Sequence, residues 1–225
     1  MSRQTPPTDG PGSWGHVTQH LRETARLREH LPPERVALQQ EVLRLAGGAQ
    51  GRRALDVGCG TGSLARQLAA EGANVVAIDV SPAAVHAADH EAKESGERPL
   101  PEFAVADLLS PSSLPKGPFE LVTCVLALHE SEDPERALQV AAKLLHPRGR
   151  LVFALEHPWR RAAAPPSGLF GSLPALLAAL RGAGLRLVDA AEPEPPGSAK
   201  GEHPHHLVIA AERTSRRPRN RGTSR

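Results

Sequence analysis

From residue 53 onward, short apolar runs alternate with longer stretches whose apolar residues return every three or four positions. The runs are Arg53–Val57 (RALDV), Asn74–Val80 (NVVAIDV), Pro101–Ala106, Phe119–Leu126 (FELVTCVL), Arg150–Leu155 (RLVFAL), Leu185–Ala190 and His206–Ala211 (HLVIAA). Between them, Leu64–Ala70, Pro82–Glu94, Pro134–Leu145 and Leu173–Leu180 carry helical spacing. Ser81 ahead of Pro82 predicts an N-cap followed by proline at the first helical position. Strands separated by helices in this way read as βαβ units. Strands that are apolar almost throughout predict a mostly parallel sheet covered on both faces. The expected architecture is a three-layer α/β sandwich with an open sheet. Ligands of such sheets bind beyond the carboxyl ends of the strands, where the strand order reverses. Candidate site residues are therefore those that follow each strand.

Upstream, Trp14 to about Ala46 is helical and polar-rich, with Val17, Leu21, Ala25 and Leu27 on a first stripe. Val36, Leu38, Val42, Leu43 and Leu45 form a second stripe. Pro32-Pro33 divides the two, and Gly47-Gly48 stops the second helix. Residues 1–13 have almost nothing to bury and read as a disordered segment, leaving 14–212 as the folded domain. Residues 213–225 (RTSRRPRNRGTSR) carry six Arg and read as a basic disordered tail. That tail leaves contact with nucleic acid or an acidic surface open, although a net charge of +2 over 225 residues excludes a strongly basic chain. Two Cys argue against a disulfide scaffold. No run approaches the roughly 18 apolar residues of a membrane span, and the N-terminus has no apolar signal region. A cytoplasmic protein without membrane contact is the expectation. With 3% aromatics and no Tyr, the core must be aliphatic.

The first strand leads into Asp56-Val57-Gly58-Cys59-Gly60-Thr61-Gly62. Glycines let the chain turn sharply and let a ligand approach the backbone. The helix that follows points its free N–H groups at the turn. Taken alone, this is also compatible with a dinucleotide loop in which Ser63 replaces the last glycine. Asp79 ends the second strand, where a carboxylate can accept hydrogen bonds from two ribose hydroxyls or cap the next helix. Ala106-Asp107-Leu108 follow the third strand, and Asp107 there reads as an adenine contact or as a turn residue.

The ordered set Asp-x-Gly-x-Gly-x-Gly, Asp79 and Ala-Asp-Leu resembles the class I S-adenosylmethionine-dependent methyltransferases. FELVTCVLALHE looks like the family's fourth strand with its trailing His, and LLHPRGRLVFALEHP like its fifth-strand region. The resemblance covers about residues 14–212. It implies a Rossmann-like, mostly parallel seven-stranded sheet with the last strand antiparallel. It implies S-adenosyl-L-methionine as cofactor and a small-molecule acceptor. Asp56, Gly58, Cys59, Gly60, Thr61 and Gly62 would form the methionine side of the site. Asp79 and Val80 would hold the ribose, Ala106, Asp107 and Leu108 the adenine, and Cys124 and Val125 would form the floor. The sequence departs from the family at Pro147-Arg148-Gly149, where Pro-Gly-Gly is usual. It also lacks the N-terminal Tyr that often closes over the cofactor, which Trp14, His20 or Leu21 would replace. The segment holding AAAPPSG, which in the family walls the acceptor pocket, is short.

Methyl transfer from a sulfonium is an in-line displacement that needs alignment and exclusion of water. An acceptor that loses its proton gains from a nearby base. His129, with Glu130 beside it, and His157 after the fifth strand are the candidates, with Glu156 and Trp159 shaping the acceptor side. Oxygen acceptors fit a His base slightly better than carbon acceptors. The absence of Asn/Asp-Pro-Pro-aromatic after the fourth strand disfavours methylation of base amines or glutamine. His203, His205 and His206 do not share one face of an extended segment, so no metal site is expected. The alternative is a cofactor-binding module without turnover that acts in regulation or interaction.

Overall fold

The protein is described by a computed structural model that covers residues 31–96, 98–157, 172–194, 197 and 204–214. The segment 1–13, the first helical stripe, Trp159, the AAAPPSG segment, His203 and the tail beyond Thr214 lie outside those residues.

The helices are α1 (Pro33–Ala46), α2 (Ser63–Ala70), α3 (Pro82–Glu94), α4 (Pro134–Leu144) and α5 (Leu173–Gly182). The strands are β1 (Arg53–Val57), β2 (Asn74–Asp79), β3 (Glu102–Val105), β4 (Phe119–Val125), β5 (Leu145–Glu156), β6 (Leu185–Ala191) and β7 (His206–Arg213). They form one seven-stranded sheet in the order β3-β2-β1-β4-β5-β7-β6. β1 to β5 pair in parallel, and β7 runs antiparallel to both β5 and β6. This is the sheet expected from the sequence.

Alternation along the strands divides the core. Leu151, Phe153 and Leu155 of β5 face one side with α4 and α5, while Val152 and Ala154 face the other with α1 and α2. Several helix ends behave as their sequences predict. Ser81 Oγ accepts the Ala84 N–H at 3.3 Å ahead of Pro82, and Gly47 closes α1 in the left-handed conformation at φ 71°. Arg150 binds α1 to the sheet, with Nη1 donating to Leu45 O at 3.0 Å and Nη2 to Glu212 Oε1 at 2.8 Å.

The main difference from the sequence reading is β5, which starts at Leu145 rather than Arg150. Leu145 is fully buried and pairs with Phe119, and pairing then resumes at Leu121 with Arg150. Residues 146–149 bulge out between these pairs, a detour that apolar periodicity cannot register. Gly149 is required there, because a Cβ would lie 2.8 Å from His146 O and 3.0 Å from Phe119 O. Arg148 sits at φ 68°, in the left-handed region that favours glycine, as its place in the Pro-Arg-Gly turn suggested. Arg148 is exposed, so its side chain offers little packing to offset that strain. Arg148→Gly is expected to stabilise the fold by about 0.5–1 kcal/mol, the left-handed penalty less the entropy of a glycine in the unfolded chain. A urea midpoint that stays or falls would contradict this.

Candidate functional site

The strand order reverses between β1 and β4, and a cleft of about 490 Å³ opens above that point. Its rim comes from the turns after β1, β2, β3 and β4, with Arg35 reaching in from α1.

The turn after β1 is tied from several sides. Gly58 and Cys59 N–H both donate to Ile78 O, at 2.8 and 3.0 Å. Gly60 N–H donates to Asp79 Oδ2 at 2.9 Å, and Ser81 N–H donates to Asp79 Oδ1 at 2.9 Å. Arg66 Nη1 donates to Thr61 O at 2.8 Å while its Nη2 pairs with Glu91 at 3.2 Å. Gln39 Oε1, on α1, accepts from Ser63 Oγ at 3.3 Å and Gln67 Nε2 at 3.0 Å. Gly58 adopts φ 68°, and a Cβ on it would stand 2.4 Å from Ala127 Cβ. Gly62 adopts φ 76°, and its Cβ would strike the Phe103 ring at 2.7 Å.

Most of the residues predicted for the cofactor converge here. Gly58, Gly60, Asp79, Val80, Ala106, Asp107, Leu108, Cys124 and Val125 all border the cleft. Asp107 is a turn residue, its Oδ1 accepting the Leu109 N–H at 2.8 Å, and it also borders the cleft. Cys124 is buried in the floor, and burial pushes its thiol up to about 12. Cys59, Thr61 and Gly62 shape the turn without bordering the cleft, and burial raises the Cys59 thiol as well. Asp56 lies underneath, 2% exposed, with Thr123 Oγ1 donating to its Oδ1 at 2.7 Å. Burial, opposed by that hydrogen bond, raises its carboxyl to about 7.

The two catalytic candidates are placed differently. His129 lies half-buried in the 3₁₀ turn Leu128–Glu130, and it is its neighbours Leu128 and Glu130 that border the cleft. His157 is 4% exposed at the end of β5, with Nε2 3.0 Å from Glu192 Oε1 and its N–H donating to His205 O. It does not border the cleft. Sequence reasoning missed Arg35, Leu126, Ser131 and Glu132, which do. Leu126 takes φ 57° where β4 ends, a bend no residue type announces. Arg35 differs from the other arginines of the N-terminal region only in where the fold puts it. Among the described residues no group of three His, Cys, Asp or Glu is arranged to hold a metal.

Two outcomes follow for stability. Gly58→Ala is expected to cost roughly 2–4 kcal/mol, combining left-handed strain with the Ala127 collision, readable as a lower urea midpoint. Because folding raises the Asp56 pKa, that carboxyl favours the folded state below the ordinary carboxylate range. Its contribution is then lost as pH rises to about 7, at roughly 1.4 kcal/mol for each pH unit of that window. The wild-type stability minus that of Asp56→Asn should therefore fall between pH 4 and 7, and a flat difference would contradict the buried, protonatable carboxyl.

The family model described as "Methyltransferase domain" matches residues 55–153. Ubiquinone biosynthesis O-methyltransferase from Alkalilimnicola ehrlichii is 38% identical over 113 residues, 50% of this chain and 45% of that protein. The same-named protein from Ralstonia nicotianae is 36% identical over 107 residues, 48% and 44% of the two chains. The match thus spans less than half the length of these curated relatives. Among solved structures, magnesium protoporphyrin IX methyltransferase from Synechocystis with bound SAH aligns with a TM-score of 0.68 and 21% identity, over 89% of this chain and 96% of that one. An S-adenosylmethionine-dependent methyltransferase from Mesorhizobium loti aligns with a TM-score of 0.66 and 23% identity, over 79% and 98%. At these identities the structural likeness speaks for the fold. Residues 55–153 thus match the methyltransferase-domain family model, and the described residues have the fold of the solved S-adenosylmethionine-dependent methyltransferases.

Proposed function

We propose that this chain is an S-adenosylmethionine-dependent methyltransferase acting on a small-molecule acceptor, with an oxygen acceptor favoured. The observation that carries the reading is the Asp79 carboxylate, fixed at the cleft wall by the Gly60 and Ser81 N–H groups. Both of its oxygens are oriented, and each keeps acceptor capacity for a ribose hydroxyl. The cleft volume of about 490 Å³ suits a nucleoside-sized ligand, and Leu108, Cys124 and Val125 offer an apolar floor for a purine.

In this reading Asp79 and Val80 hold the ribose, and Ala106, Asp107 and Leu108 meet the adenine. The turn Gly58–Gly62, with Cys59 and Thr61 inside it and Asp56 below, shapes the side that takes the methionine portion. The bound donor supplies a methyl group on a sulfonium. The chain's own part is to align the acceptor with that methyl and keep water away. His129 and His157, as placed, are assigned no proton-transfer step. The oxygen acceptor is supported by the curated relatives, which are named as O-methyltransferases of ubiquinone biosynthesis. No helix among the described residues is long and apolar enough to cross a membrane. Cys59 and Cys124 are free thiols, which suits a reducing, cytoplasmic setting. The placement of both imidazoles away from the cleft favours a second reading, a donor-binding module without turnover.

Calorimetric titration with S-adenosylmethionine and S-adenosylhomocysteine tests the donor site, and micromolar affinity for both is expected. Asp79→Ala should weaken both by roughly 1–3 kcal/mol, the scale of lost charge-assisted hydrogen bonds. Circular dichroism alongside establishes that the variant is folded. No binding to the folded wild type would overturn the reading. Binding without methylation of any hydroxylated small molecule screened would favour the module.

A further inference from the structure

We propose that Glu130 is the residue by which this cleft distinguishes a positively charged donor from its neutral product. This rests on the donor-binding reading above. Among the described residues that border the cleft, the carboxylates are Asp79, Asp107, Glu130 and Glu132, against the single guanidinium of Arg35. Two of these carboxylates already serve the backbone: Asp79 takes the Gly60 and Ser81 N–H groups, and Asp107 takes the Leu109 N–H. Among the described residues, none donates a hydrogen bond to the Glu130 carboxylate. It meets its surroundings through space.

Its place in the fold follows from the turn that carries it. If the ribose lies at Asp79 and the amino-acid portion at the Gly58–Gly60 turn, the sulfur joining them lies above the ends of β1 and β4. The 3₁₀ turn Leu128–Glu130 leaves β4 at that point. The walls there are apolar, with Val57, Ile78, Leu126 and Leu128, while Glu130 itself is exposed at the rim.

The charged and titratable groups around Glu130 come from every neighbouring element. They are Arg35 on α1, Asp79 at the end of β2, Cys124 on β4, His129 and Glu132 on its own loop, and Glu156 at the end of β5. Partial desolvation, then Glu156 and Asp79, hold its carboxyl above the ordinary range, while Arg35 opposes them. A cation placed in the cleft relieves that repulsion, and a neutral thioether does not. S-adenosylmethionine and S-adenosylhomocysteine differ by one methyl and this one charge. A unit charge interaction across a partly solvated cleft is on the order of a five- to tenfold preference.

Calorimetric titration of the folded wild type and Glu130→Gln with both ligands, at about 50 and 500 mM NaCl, tests this. The expected result is a five- to tenfold loss of S-adenosylmethionine affinity in the variant, with S-adenosylhomocysteine within twofold of wild type. High salt should narrow the difference between the two proteins. Equal losses for both ligands would mean that Glu130 only supports the turn, and no change would mean that its charge is not felt; either overturns the proposal. If neither ligand binds the wild type, the donor-binding reading fails first. If both bind with an unchanged ratio, this inference alone falls.

Discussion

Two backbone N–H groups, from Gly60 and Ser81, converge on the one carboxylate of Asp79. This pairing links the turn after β1 to the turn after β2, and the rest of the site depends on it. The Gly60 N–H is thereby held at the mouth of the cleft. The Asp79 side chain cannot rotate away without leaving two polar groups unsatisfied. Its backbone extends the tie, since Asp79 O accepts the Ala106 N–H at 3.0 Å and so fixes the start of the β3 turn. Three of the four turns that rim the cleft are thus positioned by one residue.

The fourth turn is positioned by contact rather than by hydrogen bonds to Asp79. Ala127 packs so near Gly58 that no other residue type fits at position 58 without displacement. Leu126 accepts a left-handed backbone to make that approach, while its N–H still donates to Ala154 O at 3.0 Å. Strain at such a point is tolerated because the surrounding sheet over-determines it. Arg148, at the far end of the sheet, is strained in the same sense with no ligand cleft beside it. The two cases separate strain that shapes a site from strain that follows from a sequence change in a turn.

The electrostatics have a common source. Carboxylates gather where parallel strands end, because exposed N–H groups of turns and helix starts are there to receive them. Asp56 is the exception, buried under the turn with its carboxyl raised by desolvation and bonded by the Thr123 hydroxyl instead. Asp79 and Asp107 spend their charge on backbone donors. Glu130 lies beyond the strands, where its charge faces the cleft itself.

The alternation of apolar runs and helical spacing determined the fold class, the seven strands and nearly all of their limits. Burial on both faces of a parallel sheet leaves that pattern and little else. The Gly-x-Gly-x-Gly turn and the acidic residues after β2 and β3 were also legible, since positive φ and N–H capping each demand particular residue types. The bulge at 146–149 was not legible, because it follows from how Leu145 and Arg150 register against β4. Nor were the fates of the polar residues. His129 and Glu130 are adjacent in sequence, yet only Glu130 borders the cleft, and His157 is turned to Glu192. Sequence spacing determines which strand end a side chain leaves from. Which way it then points is decided by the neighbours that the completed sheet brings to it.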